Sequence, residues 1–121
     1  MYILYYNMKY NKHLSEPWFS LIKLKTKTCE GRLNKGDFSK MKVNDTIEFF
    51  NEDFTFKRSY SVKITKITKY NTFENYLRGK TLKKTLPGIN TIKDGLQIYY
   101  QYYSKEDEKK FKIIAIDIEV I

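Results

Sequence analysis

The sequence is poor in the residues that build metal centres, disulfides and phosphate-binding loops. Its 121 residues include one cysteine, Cys29, and one histidine, His13. A lone cysteine forms no internal disulfide, and these two side chains are too few for a common zinc site or a histidine-based catalytic triad. Glycine-rich nucleotide loops and a Gly-x-Ser-x-Gly elbow are missing as well. We therefore expect no metal and no cofactor.

Long hydrophobic runs are also missing. No stretch approaches the roughly 18 uncharged apolar residues that span a membrane, and the N-terminal MYILYY is too short and too poor in positive charge for a secretory signal. The sequence predicts a soluble, cytoplasmic protein without membrane contacts. At 121 residues, with no linker rich in proline, glycine or serine, it predicts one domain over residues 1–121.

Basic residues outnumber acidic ones. The chain has 23 Lys and Arg against 14 Asp and Glu, a formal net charge of +9, which favours a polyanionic partner. All but three of the basic residues are lysines, and Asn, Ile and Tyr are abundant beside them. The codons of an AT-rich genome would produce the same bias, so composition alone leaves the partner open.

The hydrophobic pattern predicts elements in the order β-α-β-β-β-α-α-β. Predicted strands cover 2–10, 27–34, 46–51, 57–70 and 111–121. Predicted helices cover 16–25, 73–78 and 91–104. Ser15 and Thr72 are expected N-caps, Gly79 is expected to end the second helix, and a change of phase near Thr65-Lys66 suggests a β-bulge. The mixture indicates an α+β domain around a small mixed sheet or barrel.

A lysine, a glutamate and an arginine come together where the first helix gives way to the second strand. On a strand through KTCEGRLN, Thr28, Glu30 and Arg32 share one face, with Glu30 and Arg32 about 7 Å apart, and Cys29 faces the other way as a buried apolar residue. Lys27 adds a cation just before them. The three side chains are able to grip a small polar ring, although a salt-bridged strand face would carry the same residues.

This stretch resembles the ASCH domain, a relative of the PUA fold, whose hallmark is Gly-x-Lys-x-x-Glu-x-Arg. Lys27, Glu30 and Arg32 match it within residues 18–34, and Lys42 to Phe49 resembles the strand entry that follows. The resemblance continues through Leu86-Pro87-Gly88, Ile98-Tyr99 and Tyr103-Ser104 and covers about residues 8–121. It implies a small PUA-like β-barrel or mixed sheet with flanking helices, and a cleft that binds RNA or a modified nucleobase.

Two glycines of the family pattern are replaced. Lys25 stands two residues before Lys27, which adds a cation at no obvious cost. Asn44 stands in the Gly-Asp turn, where asparagine tolerates the left-handed conformation.

The sequence and the resemblance together predict a ligand site, with Arg32 as its strongest member because a planar guanidinium can bind a base edge or phosphate through two bonds. The predicted ligand-binding residues are Trp18, Lys25, Lys27, Glu30, Arg32, Tyr103 and Ser104. Trp18 equally suits the core, and the hydroxyl of Tyr103 equally suits a structural hydrogen bond. The nearby run of tyrosines, 99–103, suits a stacking platform, but helical spacing favours the core for most of them.

The resemblance also raises an enzymatic alternative. One branch of the family, a small bacterial amidohydrolase acting on N4-acetylcytidine, uses a lysine and a threonine three residues later; here those positions are Lys27 and Glu30. A carboxylate is a poor match for an alkoxide nucleophile, so we do not expect this reaction. A hydrolase of another modified nucleoside or of RNA, with Lys27 or Glu30 as acid or base, is the second hypothesis. A protein-interaction module in transcription or translation is the third.

Overall fold

The computed structural model describes residues 6–121 and arranges them around a five-stranded mixed sheet. The strands are β1 (Lys9–His13), β2 (Cys29–Leu33), β3 (Thr46–Asn51), β4 (Arg58–Tyr70) and β5 (Ile113–Val120). The helices are α1 (Trp18–Lys23), α2 (Phe73–Lys80), α3 (Leu82–Thr85), α4 (Ile92–Tyr102) and α5 (Lys105–Phe111), with a 3-10 helix at Gly36–Lys40. The predicted α+β class is confirmed. Within the described residues, no helix has the length and apolar character needed to cross a membrane.

The sheet has the strand order β1-β3-β4-β5-β2 and curls into a half-barrel. β3 and β4 form the predicted antiparallel hairpin, and the register shift between Ile64 and Lys66 confirms the predicted bulge. A bulge bends its strand and increases the local twist, which favours a curved sheet. β1 lies parallel to β3 at one edge, and β2 lies antiparallel to β5 at the other.

β5 separates the two hydrophobic clusters of the protein. Ile114 and Ile116 belong to the cluster that includes α1, whereas Ile113 and Ala115 belong to the cluster under α2 and α4. Alternate residues of a strand face opposite sides of its sheet, so β5 is buried on both faces. Trp18 packs against both clusters, and the cavity described below opens beside it.

Several predicted boundaries are wrong at the ends of elements. Of the strand predicted for 2–10, residues 2–5 lie outside the described part, residues 6–8 are not in a strand, and β1 covers Lys9–His13. α1 covers 18–23 instead of 16–25, and Ser15 does not cap it: Pro17 is the N-cap residue, and the carboxylate of Glu16 accepts the backbone N–H of Ser20 at 2.9 Å. A carboxylate does the same work there as a hydroxyl, since it accepts an otherwise unpaired N–H.

Gly79 does not end α2. The helix continues to Lys80, and Thr81 takes the left-handed position with a φ of 75°. A side chain at position 79 would approach Tyr70 Oη to 2.5 Å, so close packing is what requires glycine there. The predicted cap at Thr72 is confirmed, because its hydroxyl accepts the N–H of Asn75 at 3.0 Å.

The last third of the chain is more helical than predicted. α3 and α5 were not expected, and the helix predicted for 91–104 stops at Tyr102. α5 is short and rich in charge, so it lacks a long apolar stripe that would mark it in the sequence. The closing strand covers 113–120 of the predicted 111–121.

Candidate ligand-binding cavity

A cavity of about 330 Å³ opens between the end of β1, the start of α1, the strand β2 and the C-terminal part of α4. Its wall joins segments that are far apart in the sequence. The lining residues are His13, Leu14, Ser15, Trp18, Lys27, Glu30, Gly31, Arg32, Leu86, Ile98, Tyr99, Tyr102 and Tyr103.

Glu30 is the buried acidic group of this cavity. β2 holds it opposite Ile116 of β5, and the residue is 5% exposed. Its Oε1 lies 3.3 Å from Lys27 Nζ and accepts the N–H of Gly31 at 3.2 Å, while Oε2 accepts Arg32 Nε at 3.3 Å. A buried carboxylate is costly without such partners, and these three make it tolerable.

Burial raises the pKa of the Glu30 carboxyl, but the charges and hydrogen bonds of Lys27 and Arg32 outweigh that effect, so its pKa lies below the ordinary value. Glu30 is therefore ionised at neutral pH.

Lys27 lies on the innermost side of the cavity and is 1% exposed. Its Nζ donates to the carbonyl of Cys29 at 2.7 Å and to the carbonyl of Thr85, and it pairs with Glu30. Three acceptors match the three N–H donors of an ammonium group. The amine is thus fixed between two chain segments 58 residues apart.

Arg32 carries the hydrogen-bonding capacity that faces the cavity. Its Nη2 donates to the carbonyl of His13 at 3.3 Å, and its guanidinium lies 5.0 Å from the ring of Phe38. Among residues 6–121 the hydrogen bonds to His13 and Glu30 use two of the five N–H donors of the guanidinium. The side chain is 22% exposed. With Lys27, two cations face one carboxylate, which leaves one net positive charge for a ligand.

Aromatic rings form the remaining walls. The hydroxyl of Tyr99 lies 3.0 Å from that of buried Tyr76, whereas Tyr102 is 61% exposed at the rim. Burial raises the pKa of Tyr99 and of Tyr103, and Glu30 raises both further, against the opposing charge of Arg32. Both hydroxyls therefore stay protonated at neutral pH and can donate hydrogen bonds.

Five of the seven predicted ligand-binding residues line this cavity: Trp18, Lys27, Glu30, Arg32 and Tyr103. Ser104 does not; it caps α5, its hydroxyl accepting the N–H of Asp107 at 3.1 Å. Lys25 does not either. It lines a second cavity, of about 380 Å³, together with Thr28, Lys27 and the end of β5. Lys27 thus contributes to both cavities.

The replacement of the family glycine by Lys25 has a cost that the sequence did not reveal. Lys25 has a φ of 65°, in the left-handed region where a Cβ is disfavoured. Asn44 has a φ of 77°, which confirms the conformation expected there.

The sequence reasoning missed the contribution of β1, and it considered the tyrosines of α4 as a stacking platform without assigning Tyr99 or Tyr102 to the site. His13, Leu14 and Ser15 carried no signal, because their place in the wall depends on the pairing of β1 with β3. Tyr102 could have been found from helical spacing, since it lies four residues after Ile98 and both line the cavity.

Within residues 6–121, Lys27 has no hydroxyl group among its hydrogen-bond acceptors and no metal site beside it. Its acceptors are two carbonyls and a carboxylate, with no hydroxyl of residues 6–121 among them. Thr28, which we expected on the face of Glu30, precedes β2 and lines the second cavity instead. In the described chain no three His, Cys, Asp or Glu side chains are placed to hold a metal ion.

Comparison with known proteins identifies the fold. A family model described as the ASCH domain matches residues 13–121. The crystal structure of hypothetical protein PH0355 is 34% identical, with a TM-score of 0.85, over 94% of this chain and 100% of that chain. The solution NMR structure of protein PF0455 from Pyrococcus furiosus is 34% identical, with a TM-score of 0.76, over 94% and 98%. No curated protein matches the sequence.

Proposed function

Since this chain belongs to the ASCH domain family, a PUA-like fold associated with RNA binding, we propose that it binds RNA by taking one nucleobase into the Glu30–Arg32 cavity. The observation that carries the proposal is the pairing of a buried carboxylate with a guanidinium that keeps unused donors. A base edge presents donors and acceptors side by side, and this pair offers the complement of both.

The cavity also suits the shape of a base. Its volume, about 330 Å³, lies at the small end of the range for ligand pockets. Trp18 and Tyr102 provide aromatic surface on which a base can stack. Glu30 accepts a bond from an amino or imino group, and Arg32 donates to a carbonyl oxygen or a phosphate.

Arg32→Lys tests the proposal. The variant keeps the positive charge but loses the planar fork, so we expect its affinity for a single-stranded RNA to fall by about 1–3 kcal/mol. Arg78→Lys is the matched control, because Arg78 is exposed on α2 and pairs with Glu74. Its affinity should equal that of the wild type.

Melting temperatures separate binding from folding. If Arg32→Lys binds RNA like the wild type and melts much lower, Arg32 is a structural ion-pair partner and the cavity is not the binding site. If the wild-type protein does not bind RNA, the proposal as a whole is wrong.

The hydrolase hypothesis is favoured by one observation, the convergence of Lys27 and Glu30 on the wall of the same cavity. General-base catalysis needs a lysine free to take a proton from a nearby hydroxyl. Since three acceptors hold Lys27, we expect no hydrolysis of N4-acetylcytidine. Cytidine release at roughly 1 per second or faster, lost in both Lys27→Ala and Thr28→Ala, would establish an enzyme instead.

A further inference from the structure

The hairpin between β3 and β4 exposes two aromatic rings at its tip. Phe54 is 59% exposed and Phe56 is 58% exposed. Four of the other phenylalanines are buried at 8% exposure or less, namely Phe19, Phe38, Phe49 and Phe73. Fold stability does not require two rings in solvent within one short loop, so their position calls for a partner.

Both rings rest on a single guanidinium. Arg58 Cζ lies 5.1 Å from the ring centre of Phe54 and 6.0 Å from that of Phe56. Arg58 is itself anchored by Glu16 at 3.1 Å and by Asn51 Oδ1 at 2.9 Å. The two rings therefore form one surface supported by Arg58, which we call the hairpin patch.

The hairpin that carries this patch contacts the wall of the Glu30–Arg32 cavity, the cavity lined by Glu30 and Arg32. His13 lines the cavity, and its Nε2 is 3.9 Å from Asp53 Oδ1 at the hairpin tip. Leu14 also lines the cavity, and its carbonyl accepts Asn51 Nδ2 at 3.0 Å. One segment thus forms a wall of the cavity on one side and holds the base of the hairpin on the other.

Resting on the proposed function, we propose that Phe54 and Phe56 stack on nucleobases that flank the base held in the cavity, so that the ligand is single-stranded RNA and not a free nucleoside. Bases unpaired from a partner strand expose their flat faces, and aromatic side chains bind such faces with little sequence preference. The contacts of Asn51 with Leu14 and of Asp53 with His13 hold the hairpin next to the cavity wall, so a strand of several nucleotides can reach both.

The experiment compares two ligands and three variants by fluorescence anisotropy and calorimetry. The ligands are a labelled single-stranded RNA of about ten nucleotides and the four nucleoside 5′-monophosphates. The variants are the double substitution Phe54→Ala with Phe56→Ala, the aromatic double substitution Phe54→Tyr with Phe56→Tyr, and Leu24→Ala. Leu24 is the control because it is 71% exposed and lies at the end of α1.

We expect the double alanine variant to bind the RNA at least about 30-fold more weakly, since each lost stacking contact weakens binding at least about fivefold, with unchanged melting temperature and unchanged affinity for whichever monophosphate the wild type binds. The tyrosine variant and Leu24→Ala should bind RNA like the wild type. Because stacking releases no counterions, the slope of log affinity against log salt should not change.

Two results would overturn the inference without touching the proposed function: full RNA affinity in the double alanine variant, or equal loss of monophosphate affinity. The proposed function fails separately, when RNA binding is absent from the wild type or is unaffected by Arg32→Lys. RNA binding that needs Arg32 but not the two rings leaves the cavity intact and assigns the hairpin patch to another partner, such as a protein.

Discussion

Lys25 occupies a position whose backbone conformation disfavours any residue with a Cβ atom. Its φ of 65° favours glycine, and a non-glycine residue there costs about 1 kcal/mol. Lys25→Gly should therefore raise the melting temperature by about 2–5 °C. Lys23→Gly, two residues earlier in the last turn of α1, should lower it, because glycine inside a helix loses about 0.5–1 kcal/mol.

Thermal unfolding of the two variants checks this contrast. Equal destabilisation in both would mean that the left-handed conformation at Lys25 carries no strain. The RNA affinity of Lys25→Gly adds a second readout: a fall in the salt slope of about one unit would show that this lysine contacts a phosphate.

The ionisation of Glu30 makes the free energy of unfolding depend on pH, because its carboxylate pairs with Lys27 and Arg32. Burial raises the pKa of the Glu30 carboxyl, but Lys27 and Arg32 lower it more, so the pKa in the folded protein lies below the ordinary value. A carboxyl of this kind stabilises the fold fully above its unfolded-state pKa, and the stabilisation is lost as the pH falls through the lower, folded value. Glu30→Gln leaves Lys27 buried without its carboxylate partner, so we expect a loss of about 3–5 kcal/mol at neutral pH.

Urea unfolding from neutral pH down to about pH 3 tests this expectation. The gap in unfolding free energy between wild type and Glu30→Gln should narrow as Glu30 becomes protonated. Glu74→Gln serves as control, because its exposed pair with Arg78 should contribute less than about 1 kcal/mol. A gap that stays constant throughout would mean that Glu30 is not ionised in the fold.

At the scale of elements, Gly31 sets the distance between β2 and α2. A Cβ on Gly31 would lie 2.5 Å from Tyr76 Cε2 and 2.8 Å from its hydroxyl. Tyr76 is fully buried and its hydroxyl meets that of Tyr99, a wall residue of the cavity. Gly31→Ala should therefore displace the ring, destabilise the protein by about 1–3 kcal/mol, and weaken RNA binding as well.

Gly36→Ala separates packing from conformation. Gly36 has a φ of 57°, with nothing within 4 Å of an added Cβ. Its replacement should cost about 1 kcal/mol through the backbone alone and leave RNA affinity unchanged. If Gly31→Ala folds and binds like the wild type, α2 does not rest on β2 as tightly as the structure indicates.

At the scale of the whole molecule, the net charge of +9 predicts that RNA affinity falls steeply with salt. Each phosphate that a lysine neutralises contributes about −0.7 to the slope of log affinity against log salt for a single strand. Lys83 and Lys84 on α3 are the best candidates, because α3 ends at Thr85, which binds Lys27, and Leu86 lines the cavity.

Replacing Lys83 and Lys84 with alanine should therefore reduce the salt slope. The same double substitution at Lys109 and Lys110 of α5 is the control, since α5 contributes no residue to the cavity. If the RNA affinity of the wild-type protein does not change with salt concentration, lysine–phosphate contacts do not contribute to binding.

Local features of this protein follow from its sequence. The β3–β4 hairpin, the bulge in β4 opposite β5, the Thr72 cap and the apolar β5 could be predicted because each leaves a signal in residues adjacent along the chain. The grouping of Lys27, Glu30 and Arg32 was visible for the same reason. The placement of Cys29 in the core, at 0% exposure, followed from strand alternation.

Only the tertiary structure decided what surrounds that group. The carbonyl of Thr85 accepts a hydrogen bond from the buried Lys27, and the carbonyl of His13 orients Arg32. Helix α4 brings Tyr99 to the opposite wall. Hydrophobic periodicity tells which face of a segment is buried, but it does not tell which distant segment will cover it. The cavity is made of such long-range contacts, and for that reason its walls emerge only when the strands have paired and the helices have packed.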